Sequence, residues 1–188
     1  MHPQLQSIER EFATARSRFA RLMAATADVR WTTHPDPARW SVAECIAHLN
    51  LTSRAMQPLL ERAVAEARAL GGGAPQRFRR TLIGRMLGAM VGPAPGWGRV
   101  RFGRTRTLPA FVPEGQLPRP LVVGEFERHL ETHARTLAAA DGVPIDRVRV
   151  ASPFANGVAY DAFSAFLIVV RHMHRHLAQA ERVWDRGR

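Results

Sequence analysis

Cysteine is nearly absent: Cys45 is the only one among 188 residues. An intramolecular disulfide framework is therefore excluded, and so is a cysteine-rich zinc site. Lysine is missing altogether, and all 27 basic residues are arginine. Long apolar runs are missing too. Stretches such as Ala162 to Val170 fall far short of the ~18 residues a membrane span needs, so no membrane association is expected. Met1 to Arg10 mixes polar and charged side chains and lacks the apolar core of a secretory signal. A soluble, cytoplasmic protein is the expectation. No G-x-S-x-G, P-loop or Rossmann glycine pattern occurs, and there is no internal repeat.

What remains is ordinary globular material. Hydrophobic residues make up 46% and charged residues 23%, which argues against a disordered chain and gives enough substance for one domain over residues 1–188. The net charge is +11. Such a balance would suit nucleic acid or acidic ligands. The arginines are scattered, however, from Arg10 and Arg54 to Arg119 and Arg188. Their densest runs are Arg77, Arg79, Arg80, Arg85 and Arg99, Arg101, Arg104, Arg106. No RNP aromatics, zinc-finger spacing or leucine-zipper heptads accompany them, so nucleic acid is not the expected partner. A genome rich in G and C explains the arginine, alanine, glycine and proline together.

Periodicity predicts four long helices. Leu5, Ile8, Phe12, Ala15, Phe19, Leu22 and Met23 recur at three- and four-residue steps, which is one face of a helix over about Pro3 to Ala25. The segment from Trp31 to Trp40 breaks the pattern with two prolines. Ser41 and Glu44 then form S-x-x-E, a capping box, with Trp40 placed to staple onto Cys45. Val42, Cys45, Leu49, Met56, Leu60, Ala63 and Ala67 continue the second helix to Gly71, and Pro58 predicts a kink or break in it. Thr81 to Val91 reads as a short helix weakened by Gly84 and Gly88. Gly92 to Pro120 reads as a long loop. A third helix is expected from about Val123 to Ala140, with Phe126, Leu130, His133 and Leu137 on one face. After a short strand at Val148 to Ala151, the last helix runs from about Val158 to Arg186. Its stripe is Phe163, Phe166, Leu167, Val170, Met173, Leu177 and Trp184. Four long helices with little strand signal predict an all-α bundle joined by long crossovers.

The histidines carry the chemistry. There are eight, and two pairs are spaced i,i+4: His129 with His133, and His172 with His176. Residues four apart project from one side of a helix, close enough to ligate one ion. His172 and His176 fall to one side of the apolar stripe, and His174 falls on the other. His48 lies off the second helix's stripe in the same way. A third imidazole from a second helix would complete a three-histidine site for a divalent transition ion with an open position. The spacing also allows His129 and His133 to be the pair that meets His48, or to be core-edge histidines with hydrogen-bond partners. Cys45 reads as a small buried residue rather than a nucleophile. Asp161 reads either as a helix-start residue or as an acceptor behind a ligand histidine. No general base is evident beside the three histidines.

Two stretches together resemble the DinB-like superfamily. Trp40-Ser-Val-Ala-Glu-Cys-Ile-Ala-His48-Leu49 is similar to its W-S-x-x-E…H-L signature, and His172-Met-His-Arg-His176-Leu-Ala-Gln179 is similar to its closing H-x-x-R-H-x-x-Q. Leu108-Pro-Ala-Phe-Val-Pro113 and Ser152-Pro-Phe154 resemble further family segments. The resemblance implies a four-helix bundle with up-down-down-up connectivity. It implies zinc or nickel held by His48, His172 and His176, with Gln179, Asp161 and His133 as candidates for supporting contacts. It also implies a small-molecule substrate, hydrolase activity in many relatives, a low-molecular-weight thiol in others, and frequent homodimers. The expected activity is a metal-dependent thiol S-transferase or hydrolase. The alternative is a non-enzymatic metal- or nucleic-acid-binding module with an arginine-rich surface.

Overall fold

The computed structural model describes residues 1–92 and 107–186, with side chains through Val183. Arg99, Arg101, Arg104 and Arg106, much of the expected Gly92–Pro120 loop and the Trp184 side chain lie outside the described residues. Those described are mostly helical: α1 (Pro3–Ala25), α2 (Asp28–Trp31), α3 (Val42–Leu70), α4 (Leu82–Val91), α5 (Arg119–Ala139) and α6 (Ala162–Arg186). One antiparallel hairpin, β1 (Arg149–Ala151) and β2 (Ala159–Asp161), pairs Val150 with Tyr160.

Each long helix buries the face its periodicity predicts. Leu5, Ile8, Phe12, Ala15, Phe19 and Leu22 of α1 are all buried. They meet α5 through Phe19 on Phe126, with ring centroids 4.7 Å apart. Helix α3 packs on both α5 and α6, and α1 packs on the same two. The core is therefore enclosed by α1, α5, α3 and α6. Cross-helix polar contacts fix the alignment. Arg18 of α1 grips Glu181 of α6 at 3.0 and 2.6 Å. Asn50 and Gln57 of α3 donate to the Val122 carbonyl (2.9 Å) and the Thr136 hydroxyl (2.7 Å) of α5.

Four boundaries differ from the sequence reading. Helix α3 runs unbroken past Pro58. Proline removes one backbone donor, but Met56, Gln57 and Leu60 around it are buried, and that packing holds the helix together. Helix α5 starts at Arg119 rather than near Val123. Pro118 is its N-cap and Pro120 sits in its first turn, where an N–H would have no helical partner anyway. Helix α6 starts at Ala162, not Val158, because residues 159–161 pair as a strand and the Asp161 carboxylate accepts from the Ser164 backbone N–H at 2.7 Å. The four-residue α2 falls on residues to which the sequence reading gave no element, ending at Trp31, where the irregular segment was placed. It is anchored by buried Trp31, whose indole N–H donates to the Leu117 carbonyl at 2.7 Å.

The glycines of α4 have a packing reason. A Cβ on Gly84 would lie 2.4 Å from Ser164 Oγ and 2.8 Å from an Asp161 carboxylate oxygen. Helix α4 thus crosses the start of α6 closely enough that only glycine fits. Asp161 accepts from both the backbone N–H (2.8 Å) and the hydroxyl (2.9 Å) of Thr81, which caps α4.

Candidate metal centre

His48 stands in the second turn of α3, whose start is fixed by the capping box. Ser41 Oγ accepts from the Glu44 N–H at 3.2 Å, and the Glu44 carboxylate accepts from the Ser41 N–H at 2.7 Å. His172 and His176 stand one turn apart on α6. The two helices pack together and bring the three imidazoles into one cluster. One ring nitrogen from each lies within 4.8 Å of the others. Ring centroids are 5.2 Å apart for His48 and His172, and 4.5 Å for each of the other two pairs.

Protonation follows from the partners. The Phe111 carbonyl lies 2.7 Å from His48 Nδ1 and can only accept, so Nδ1 carries the proton. The Nε2 lone pair of His48 is then free, and it lies 3.4 Å from His172 Nε2. Two nitrogens on a tetrahedral zinc ion at ~2.05 Å would be ~3.3 Å apart, so this pair already has the right spacing. Burial lowers the pKa of His48, against the Phe111 bond that raises it. Burial and the neighbouring His48 and Arg175 push His172 down to about 3. His176 is held well below the ordinary value by burial, then by His172 and His48. All three are neutral at pH 7, with lone pairs available. Among the described residues no carboxylate joins the cluster. His176 Nδ1 is buried and has no hydrogen-bond partner among the described residues. The donor set and spacing therefore fit a divalent transition ion.

The remaining expected residues sort as follows. Gln179 is one turn beyond His176, and its side chain opposes the downward shift of that ring. Asp161 spends its oxygens on Thr81 and Ser164 at the start of α6. It is eleven residues before His172, ~16 Å along the helix, so it serves as a helix-start residue. His133 is fully buried in the core, stacked on Phe12 at 5.9 Å, with His129 the other ring beside it. His129 pairs instead with Glu125 at 3.2 Å. His174 turns to α1, 3.1 Å from Arg18. Cys45 is fully buried and its thiol is pushed up to about 12, chiefly by burial, so it is inert.

Three elements of the site were not foreseen. The Phe111 carbonyl orients His48, and the Trp40 ring lies 4.9 Å from His48 and 6.1 Å from His176. The similarity of Leu108–Pro113 to a family segment was the one sequence signal pointing at Phe111. A cleft of about 490 Å³ also lies beside the start of α3, walled by residues 113 and 115–118 and by Thr32, His34, Ser41 and Glu44. His34 Nε2 is 2.8 Å from Glu44, and Glu44 is one turn before His48.

A helical protein with three convergent imidazoles, compatible with a bound metal ion, is the class that fold and site define. The family model for the DinB superfamily matches residues 11–180, and the chain belongs to that superfamily. No curated protein and no solved structure matches it. No helix among the described residues is long and apolar enough to cross a membrane.

Proposed function

We propose that this protein is a metal-dependent enzyme that holds zinc or nickel on His48, His172 and His176 and transfers a low-molecular-weight thiol to a small electrophile. The observation that carries the reading is three neutral imidazoles converging with no carboxylate among them. The three histidines would hold a divalent ion whose +2 charge they leave uncompensated, and such an ion would favour an anionic ligand such as a thiolate. The chain's own residues supply the rest. The Phe111 carbonyl fixes the tautomer of His48. Trp40 covers two of the rings and limits water. The cleft beside Glu44, one turn before His48, is the candidate place for the substrate, with the His34–Glu44 pair in its wall. Up-down-down-up connectivity fits the contacts. Phe12 and Phe19 meet His133 and Phe126 in antiparallel order, while Arg18 and Glu181 align α1 with the distal half of α6.

The test begins with metal content of protein purified without tag or chelator. About one zinc or nickel per chain is expected, and it should be lost in the H172A/H176A double variant. No metal even after incubation with both ions would overturn the reading. With metal established, thiol consumption is followed in the presence of an epoxide or haloarene. Metal-dependent ester hydrolysis without thiol loss would replace transfer with hydrolysis.

A further inference from the structure

The far end of α3 carries a second feature, unrelated to the histidines. Helix α3 stops at Gly71, and Gly71, Gly72 and Gly73 all have positive φ, at 66°, 82° and 69°. Only glycine takes such a run without strain, so the chain reverses with bare backbone exposed. The turn meets the 3₁₀ segment 145–147 across a cleft of about 350 Å³. Arg77, Arg79 and Arg147 line this cleft with Asp146. The Arg147 guanidinium lies against Gly72, with Nη1 3.7 Å from where a Cβ would stand.

The charges in this cleft do not cancel. None of the three guanidinium groups has an ion pair or side-chain hydrogen bond among the described residues. Asp146 is the only carboxylate in the lining. One of its oxygens accepts from the Arg79 backbone N–H at 2.8 Å, and the other is closed off from solvent. Three cations against one anion leave the cleft near +2. Cations lining one cleft raise the local concentration of an anion there. Guanidinium forks match the oxygens of phosphate, and a phosphomonoester carries about −2 at pH 7. The volume admits one small molecule rather than a polymer.

We infer that this cleft is a binding site for a small phosphomonoester, seated on Arg77, Arg79 and Arg147. His48 and Gly71 are 23 residues apart on α3, ~35 Å along the axis, so the site is independent of the metal centre.

The probe is glycerol 3-phosphate, titrated calorimetrically into the full-length protein, with acetate as a monoanionic control. One saturable site per chain with Kd below ~1 mM is expected, with acetate not bound. Arg77→Ala and Arg147→Ala should each weaken binding by about tenfold or more. All three guanidiniums are exposed, so these variants keep the fold, which circular dichroism checks. The H172A/H176A variant, stripped of metal, should bind the probe unchanged. Loss of binding there would move the phosphate to the metal centre and overturn the assignment. No saturable binding, or binding equal for acetate and unaffected by the arginine variants, would overturn it too, leaving an adventitious ion only.

Discussion

His133 is fully buried on α5, stacked on Phe12, and neither ring nitrogen has a hydrogen-bond partner among the described residues. Burial, then the nearby His129, pushes its pKa down to about 3. The unfolded chain binds a proton at this residue below ~6.5, and the folded chain does not until about pH 3. Because the folded pKa is depressed, the neutral ring's contribution is complete above ~6.5 and is lost as pH falls from there toward about 3. Each pH unit in that window multiplies the unfolding equilibrium constant by about ten, so about 2 kcal/mol is lost between pH 7 and pH 5. The perturbation is His133→Leu, which removes the titrating group and two unpartnered polar atoms while keeping bulk. Urea unfolding of the metal-free variant and wild type at several pH values isolates this residue, because every other group titrates alike in both. Leu is expected to be more stable by about 1–3 kcal/mol at pH 7, and the gap should widen by about 2 kcal/mol at pH 5. A gap that does not change with pH would refute a neutral, proton-excluding His133.

Two further substitutions test local claims. Ser41→Ala removes one half of the capping box on α3 and should cost about 1 kcal/mol by thermal unfolding. No loss would mean that Glu44 and solvent satisfy the helix start alone. Gly84→Ala ordinarily favours a helix by up to ~1 kcal/mol, yet here the new Cβ would meet Ser164 Oγ at 2.4 Å. A net loss of about 1–3 kcal/mol is expected, and a stabilised variant would show that α4 does not pack so closely on α6.

The long helices were legible from period, and the three-histidine cluster was legible from i,i+4 spacing together with the family resemblance. A stripe at three- and four-residue steps marks the face that burial then covers, and a pair at i,i+4 must share a side. Spacing alone left His129 and His133 open as the pair that meets His48, the resemblance pointed to His172 and His176, and the packing shows why: His133 lies in the core beside Phe12, and His129 pairs with Glu125. The start of α6 was misread because Ala159–Asp161 has no pattern of its own and becomes a strand only through its pairing with Arg149–Ala151. The contacts that complete the site come from loops. Phe111 acts through a backbone carbonyl, which every residue has, so no side-chain pattern could announce it. The His34–Glu44 contact was invisible for a similar reason, since His34 reaches Glu44 across an irregular segment with two prolines.

That reliance on a carbonyl makes the centre testable without altering a ligand. Substituting Phe111 leaves its own C=O in place, so the informative change is to the residue that seats it. Phe154, in the connection between β1 and β2, packs on Phe111 with ring centroids 4.8 Å apart. An aromatic pair of this kind is worth about 0.5–1.5 kcal/mol beyond its buried area. Without it the 109–111 turn loosens, the Phe111 carbonyl spends less time at His48 Nδ1, and His48 must pay to find the tautomer that frees Nε2. Phe154→Ala should therefore weaken zinc affinity by about tenfold, within the range usual for contacts that orient a ligand histidine. Competition against a chelating dye measures this directly, and Phe154→Leu, which keeps apolar bulk, should recover part of the loss. Unchanged affinity in Phe154→Ala would show that α3 and α6 alone hold the imidazoles in place, and that the Phe111 bond follows the geometry of the centre without shaping it.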